Sequence, residues 1–381
     1  MILLLGKGEG LQALTDVFAG EDAVALTDAG RTPDELCADV RSVLEVHEFE
    51  FAVANGLSCA KALDVLDGVG VPTVGATTQD WHIEMDKPFG KKLCAEVGVG
   101  TSEWWTVDLA DLDETEWEFP CYVKHRKAIG GTTSFKVHSK KQIRNLIRAY
   151  GYERGFIVEL PLAGIEFSMN ALIGAENWQV IGCNYDMKGP TGKVVGNAYG
   201  AAGEHTAWIE GQLAPLFQAV CGMGYRGVLA VTVFMTDEGL RMIELNVRVG
   251  TGSGYTYLNN VSNMADMLRA CALGQSIPAP QFKHLYGLSV TVDSGLRREA
   301  YDLEVGLLEP LGDGVVLVEN NVYDGMSNGA APYLLVGFGD SSLQSVGETL
   351  MENLRCLDVP LMSKPELDLD RFDRLAEVLP R

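Results

Sequence analysis

The stretch Ile243-Glu244-Leu245-Asn246-Val247-Arg248-Val249 decides how this chain is read. As a strand it puts Glu244, Asn246 and Arg248 on one face and Ile243, Leu245, Val247 and Val249 on the other, because successive side chains alternate. A carboxylate and an amide oxygen two residues apart can both reach one hard divalent cation, Mg²⁺ or Mn²⁺. Arg248 beside them can neutralise a phosphate or a carboxylate. Read alone, the same alternation fits a solvated sheet face equally well. Upstream, residues 228–235 form an apolar strand. Thr236-Asp237-Glu238-Gly239 then turns the chain, so residues 240–249 return as the second arm of a hairpin.

Three further features gain weight only from their order before this hairpin. Lys124 closes the strand 121–124, where its ammonium can meet a phosphate held above a sheet. Lys87 stands in the helix start Asp86-Lys87-Pro88, a place where an anion at the helix N-terminus would account for a cation. A surface role is the commoner explanation for either lysine alone. Between two strands, the loop 128–134 combines Gly130 and Gly131 with Thr132 and Thr133. Such a backbone can wrap its N–H groups round phosphate oxygens, and a plain hairpin loop is the competing reading. Finally, residues 158–166 run from a strand through Leu160-Pro161-Leu162 into a second strand. This segment offers backbone groups to an adenine edge and Glu166 to ribose hydroxyls, and an ordinary strand–turn–strand is the competing reading.

Outside this region the pattern divides in three. Residues 1–76 alternate strands (2–5, 23–26, 49–54) with helices (11–18, one after Thr32-Pro33, and one that Ser58 caps and that carries Ala60, Leu63 and Leu66), the signature of a small parallel sheet. Residues 77–281 hold the hairpin and the lysines, with a strand-rich part over 120–185 and a helix near 207–220. Residues 282–381 read as β-rich, ending in a helix near 343–354. The fold class is α/β.

A hydrophobic fraction of 47% and a charged fraction of 22% are those of a globular protein. No apolar run reaches the ~20 residues needed to cross a bilayer, and residues 1–5 read as a buried strand, not a signal peptide. Thirty basic against 52 acidic residues give a net charge of −22, which disfavours nucleic acid as a partner. Eight cysteines without a C-x-x-C pair fit packed, reduced thiols in the cytoplasm. Monomer and homodimer fit the sequence equally.

Together these features resemble the ATP-grasp superfamily and, more narrowly and over almost the whole length, the glycinamide ribonucleotide synthetases (phosphoribosylamine–glycine ligases). The turn Gly6-Lys7-Gly8 resembles that family's opening glycine turn, Lys87 its first ATP lysine, and 119–137 its second-lysine strand and phosphate-covering loop. Glu159 and Glu166 resemble its adenosine-binding stretch, and 243–250 its metal strand. The tail fits as well, through 306–311 and Ser327-Asn328-Gly329. The resemblance implies an ATP-grasp fold with a Rossmann-like domain over 1–76, an ATP-grasp domain over 77–281 carrying a lid over 120–185, and a small β-rich domain over 282–381. It implies ATP held by Lys87, Lys124, Gly130, Gly131, Thr132, Thr133, Glu159, Leu162 and Glu166. It also implies Mg²⁺ (or Mn²⁺) on Glu244 and Asn246, with Arg248 and Lys124 catalytic. Small-molecule amine and amino-acid substrates would be bound by Lys188, Thr191, Gly192, Asn197 and Arg248. The reaction implied is amide formation through an acyl phosphate, as in purine biosynthesis.

The departures gather at the acceptor end. The family's acidic run after the metal strand is replaced by Thr251-Gly252-Ser253-Gly254, and its Arg-Glu-His element by Glu9-Gly10-Leu11. Its Gly-Pro-Glu-Ala-Pro turn is replaced by Ala54-Asn55-Gly56-Leu57-Ser58, and the phosphate loop lacks the usual lysine. These losses motivate an alternative of another class, an ATP-binding pseudoenzyme with a regulatory or assembly role. A nicotinamide-type oxidoreductase is the poorer option, because Gly6-Lys7-Gly8-Glu9-Gly10 lacks the spaced third glycine.

Overall fold

A computed structural model of the chain describes residues 1–126, 134–151, 155–188, 194–200, 204–249, 254–297, 315–319, 330–340 and 343–356. The first strand, β1 (Ile2–Gly6), is buried throughout. Leu3 and Leu5 pack with Leu36, Val40, Leu63 and Leu66 on one side. Ile2 and Leu4 pack with Leu14, Phe18 and Phe51 on the other. A strand apolar on both faces belongs inside a parallel sheet. The elements around it are α1 (Gly8–Val17), β2 (Ala23–Thr27), α2 (Pro33–Leu44), β3 (Phe51–Ala54), α3 (Ala60–Gly68) and β4 (Thr73–Val74). The strands are parallel, in the order β2-β1-β3-β4. Thr32 and Glu35 close a capping box on α2, two orphan N–H groups satisfied reciprocally. Ser58 does not cap the next helix as expected. A short 3₁₀ turn over Leu57–Cys59 moves the N-cap of α3 to Cys59, and the Ser58 hydroxyl donates instead to the carboxylate of Asp28.

Two helices in tandem, α4 (Trp81–Met85) and α5 (Lys87–Glu96), lead into a small antiparallel sheet. It contains β5 (Trp104–Val107), β6 (Cys121–His125), β7 (Ser134–Val137) and, after α6 (Lys140–Tyr150), β8 (Phe156–Glu159), in the order β5-β8-β6-β7. Ile143 and Ile147 of α6 bury against Val123, Val137 and Val158.

The remaining elements build one long sheet. They are β9 (Ile165–Ile173), β10 (Trp178–Lys188), β11 (Val194–Gly200), α7 (Glu204–Gly222), β12 (Gly227–Thr236), β13 (Gly239–Asn246), α8 (Gly254–Asn260), α9 (Met264–Ala272), β14 (Tyr286–Arg297), β15 (Val315–Glu319), β16 (Ala330–Gly339) and α10 (Leu343–Cys356). The antiparallel order is β13-β12-β9-β10-β11-β14-β16-β15. Strands β9 and β10 therefore stand in the long sheet and not in the small one, and β14–β16 extend that same sheet. One face is apolar: Phe167, Met169, Leu229 and Val231 pack against Leu213, Leu216 and Phe217 of α7.

The deciding strand differs from simple alternation in two ways. Thr232 pairs with Glu244 but the next residue, Val233, pairs with Met242, so Ile243 is an extra residue in the ladder. A bulge of this kind shifts the side-chain parity by one. Leu240 and Met242 are buried before it and Leu245 after it, while Ile243 is only half-buried. The strand also stops at Asn246, so Arg248 lies beyond it and is not presented by the pleat.

Candidate active site

The α4–α5 corner lies against β13. Asp86 is the N-cap of α5 but makes no side-chain cap, and the Lys87 N–H donates to the carbonyl of Arg126 at 3.3 Å. This ties the helix start to the end of β6. The Lys87 ammonium, placed where an anion was expected, meets a carboxylate of the chain itself, Glu244 Oε2 at 3.3 Å. Three residues earlier, Glu84 faces the far end of the same segment. Its Oε1 lies 3.0 Å from Arg248 Nε, and its Oε2 accepts the Val247 N–H at 3.1 Å. Arg248 Nη2 in turn reaches Asn246 Oδ1 at 3.4 Å.

A second cluster joins the small sheet to the long one. Lys124 Nζ is 2.6 Å from Glu159 Oε2 and Lys91 Nζ is 3.0 Å from Glu159 Oε1. Lys91 also donates to Ser102 Oγ at 2.7 Å and approaches the Met242 carbonyl of β13 at 3.5 Å. All three charged groups are buried. Register explains the first pair: β6 and β8 run antiparallel with Tyr122 opposite Glu159 and Lys124 opposite Ile157. Lys124 and Glu159 thus lie diagonally across the two strands, a spacing long side chains can bridge.

The charges are set by burial and by partners together. Burial pushes the Glu159 carboxyl up, but Lys124 and Lys91 outweigh it and hold the group below its usual range. Burial also pushes Glu244 up, and Lys87 and Lys124 again outweigh it. For Lys91, burial lowers the pKa and Glu159 only partly opposes this. In Glu84 burial wins over Arg248, and the carboxyl is raised.

The structure thus brings together Lys87, Lys124, Glu159, Glu244, Asn246 and Arg248. Leu162 is half-buried in the β8–β9 linker, and Glu166 is half-buried on β9 opposite Phe234. Asn197 is buried on β11 between Asp186 and Ser289, and its Oδ1 has no hydrogen-bond partner among the described residues. Lys188 is the last residue of β10. Gly130, Gly131, Thr132, Thr133, Thr191 and Gly192 lie outside the described residues, as do residues 250–253, 306–311 and 327–329.

Glu84 of the first cluster and Lys91 and Ser102 of the second carried no motif in the sequence. A signal for Lys91 was present: it stands four residues after Lys87 and three before Cys94, on the helix stripe that otherwise buries apolar groups. A lysine on such a stripe requires a buried acid.

Glu244 and Asn246 present one carboxylate and one amide oxygen on the same face of β13. Among the described residues no group of three or more His, Cys, Asp or Glu is gathered into a metal cage. Two oxygen donors suit Mg²⁺, which takes one or two protein ligands and completes its shell with phosphate oxygens and water. Asn246→Ala is expected to raise the Mg²⁺ concentration needed for half-maximal nucleotide binding by about ten-fold, the loss of one hydrogen-bond-strength ligand. A magnesium titration of ATP binding measures this, and an unchanged midpoint removes Asn246 from the metal shell.

A parallel N-terminal sheet followed by a small and a long antiparallel sheet, the latter two joined at a lysine–glutamate cluster, is the arrangement of the ATP-grasp fold. No protein-family profile matches the chain. Among curated proteins it is similar to the phosphoribosylamine–glycine ligase of Phenylobacterium zucineum, with 25% identity over 311 residues, 74% of this chain and 72% of that one. It is also similar to D-alanine–D-alanine ligase B of Clostridium perfringens, with 26% identity over 113 residues, 28% and 36% of the two chains. Among solved structures, phosphoribosylamine–glycine ligase from Thermotoga maritima superposes with a TM-score of 0.71 at 16% identity, over 95% of this chain and 97% of that one. N5-carboxyaminoimidazole ribonucleotide synthetase from Thermus thermophilus superposes with a TM-score of 0.69 at 19% identity, over 97% and 100%. No helix among the described residues is long and apolar enough to cross a membrane.

Proposed function

We propose that the protein is an ATP-dependent ligase that joins a carboxylate to an amine through an acyl phosphate. One observation carries the reading. Lys87 pairs with Glu244 and Arg248 reaches Asn246, while Lys124, held by Glu159 in the adjoining cluster, acts on Glu244 through its charge, so that three cations serve the acid–amide pair of β13. Fixed cations around two oxygen donors are what phosphoryl transfer needs, since its catalysis is chiefly positioning and charge stabilisation. The curated relatives are both ligases that join an amine to a carboxylate-bearing partner by name, which supports the same class here.

In this reading Lys124 and Lys87 stabilise the phosphates of ATP. Glu244 and Asn246 would hold Mg²⁺ (or Mn²⁺), which would supply charge neutralisation at the phosphates. Arg248 binds the substrate carboxylate beside them. The carboxylate oxygen attacks the γ-phosphorus and ADP leaves. The amine nitrogen then attacks the acyl carbon, phosphate departs and the amine loses a proton. Glu159, Leu162 and Glu166 lie along the stretch assigned to adenosine. The acceptor binds toward Lys188, Thr191, Gly192 and Asn197. The acceptor pair is glycine with phosphoribosylamine or a different amino acid and amine, the replaced acidic run and the Asn55 turn favouring a changed amine.

The test is phosphate release from ATP and Mg²⁺ in the presence of a matrix of amino acids against amines, phosphoribosylamine included. Release that requires one carboxylate and one amine together establishes the ligase. Protein that binds ATP yet releases no phosphate with any pair refutes it.

A further inference from the structure

The ladder of β13 ends at Asn246, yet the residue assigned to the substrate carboxylate, Arg248, lies two residues further on. Two side chains from other elements grip the segment there. Glu84 of α4 takes it at two points, with one oxygen on the Val247 N–H at 3.1 Å and the other 3.0 Å from Arg248 Nε. Asn55, just past β3, takes the next turn of chain by accepting the Val249 N–H through Oδ1 at 3.2 Å. Space for Asn55 comes from Gly10 of α1. A Cβ there would stand 1.7 Å from Asn55 Nδ2, closer than any real contact.

The grip is selective. A guanidinium has five N–H donors in a rigid fork. Holding Nε by a carboxylate that is itself pinned to the adjoining backbone fixes the plane of the fork and the direction of its two Nη groups. Glu84 is 3% exposed, so solvent cannot replace it. Glu84 also precedes Lys87 by three residues, and Lys87 pairs with Glu244. One helical corner therefore holds both the acid and the arginine of the site.

We infer that Glu84 is the positioning residue for Arg248, aiming its guanidinium at the substrate carboxylate, with Asn55 as the second anchor of the 247–249 segment. The catalytic consequence rests on the ligase reading, whereas the geometric claim does not. The experiment therefore has two arms. In the first, the Arg248 side-chain Nε–H is followed by ¹⁵N NMR, assigned by its loss in Arg248→Lys. Glu84→Gln, isosteric but uncharged, is expected to speed solvent exchange of that proton by about ten-fold or more, the weight of one charge-assisted hydrogen bond. In the second arm, kinetics with the productive carboxylate are expected to show kcat/KM lowered about ten-fold while the directly measured ATP affinity stays within about two-fold. Glu84→Asp, which keeps the charge one methylene short, should recover part of the loss.

Unchanged exchange in folded Glu84→Gln overturns the inference whatever the enzyme does. Faster exchange with unchanged kcat/KM for the carboxylate overturns the positioning role. Wild-type protein inactive on every pair removes the ligase reading, and the exchange arm alone then decides whether Glu84 holds Arg248. A loss that merely tracks a lowered melting temperature, with no recovery in Glu84→Asp, also counts against positioning.

Discussion

Glu159→Gln is expected to destabilise the fold by about 3–5 kcal/mol at neutral pH, the range seen when one member of a buried ion pair is removed. The carboxylate is 2% exposed and lies within 3.0 Å of two ammonium groups. Its replacement leaves Lys91 and Lys124 as neighbouring buried cations with no anion between them. Lys91 keeps only Ser102 and the Met242 carbonyl as acceptors among its described contacts. The damage should centre on the joint between the small sheet and the long one, because Glu159 belongs to β8 and the Met242 carbonyl to β13. The pH dependence has a definite sign. A carboxyl whose folded pKa is depressed contributes stability above its unfolded value, about 4.3 for Glu. That contribution is lost as pH falls through the folded value. Glu159 and Glu244 both behave in this way. Denaturant unfolding of wild type and Glu159→Gln across the acid range should give curves that converge as pH drops. Parallel curves would mean that Glu159 is not ionised in the fold.

The fold was legible in the sequence wherever one periodicity ruled a whole element. β1 declares itself by having no polar side chain, α2 by Thr32-Pro33, and the β12–β13 hairpin by its Thr236–Gly239 turn. Details set by tertiary contact were not legible. Alternation assigned Ile243 to the apolar face and Arg248 to the strand, and neither the bulge at Ile243 nor the end at Asn246 leaves a mark in residue types. Ser58 was a sound N-cap by type, but the 3₁₀ turn before α3 freed it to bind Asp28. The site was legible as a set of charged residues at strand and helix ends. Its wiring was not. Lys87 pairs with Glu244 across 157 positions and Glu84 with Arg248 across 164. Pairs that remote have no local signature, so nothing in the sequence marked Glu84, whereas Lys91 was marked only by its place on the buried stripe of α5.

Lys124→Met is expected to lower phosphate release by about 10²–10³-fold, the usual effect of removing one preorganised charge from a reaction in which charge develops. The substitution keeps an unbranched stem of similar reach and deletes only the ammonium. Loss of Lys124 also removes one of the two cations on Glu159, so a purely structural effect has to be separated from a direct one. Lys91→Met provides the comparison. It removes the other cation from the same carboxylate at similar depth, 1% exposed against 7% for Lys124. The two lysines differ in what else they touch. Lys91 is surrounded by Glu159, Ser102 and the Met242 carbonyl, which occupies the directions in which an ammonium can donate. Lys124 stands near the end of β6, next to the loop expected to cover phosphates, and its charge helps hold Glu244 ionised on β13. Compared at equal folded fraction, Lys91→Met should lose stability without a matching loss of turnover per folded molecule. Lys124→Met should lose turnover and ATP affinity beyond what its melting temperature accounts for. Equal losses of turnover in the two variants would mean that Lys124 acts only by holding Glu159, and the phosphate would then have to be met by Lys87.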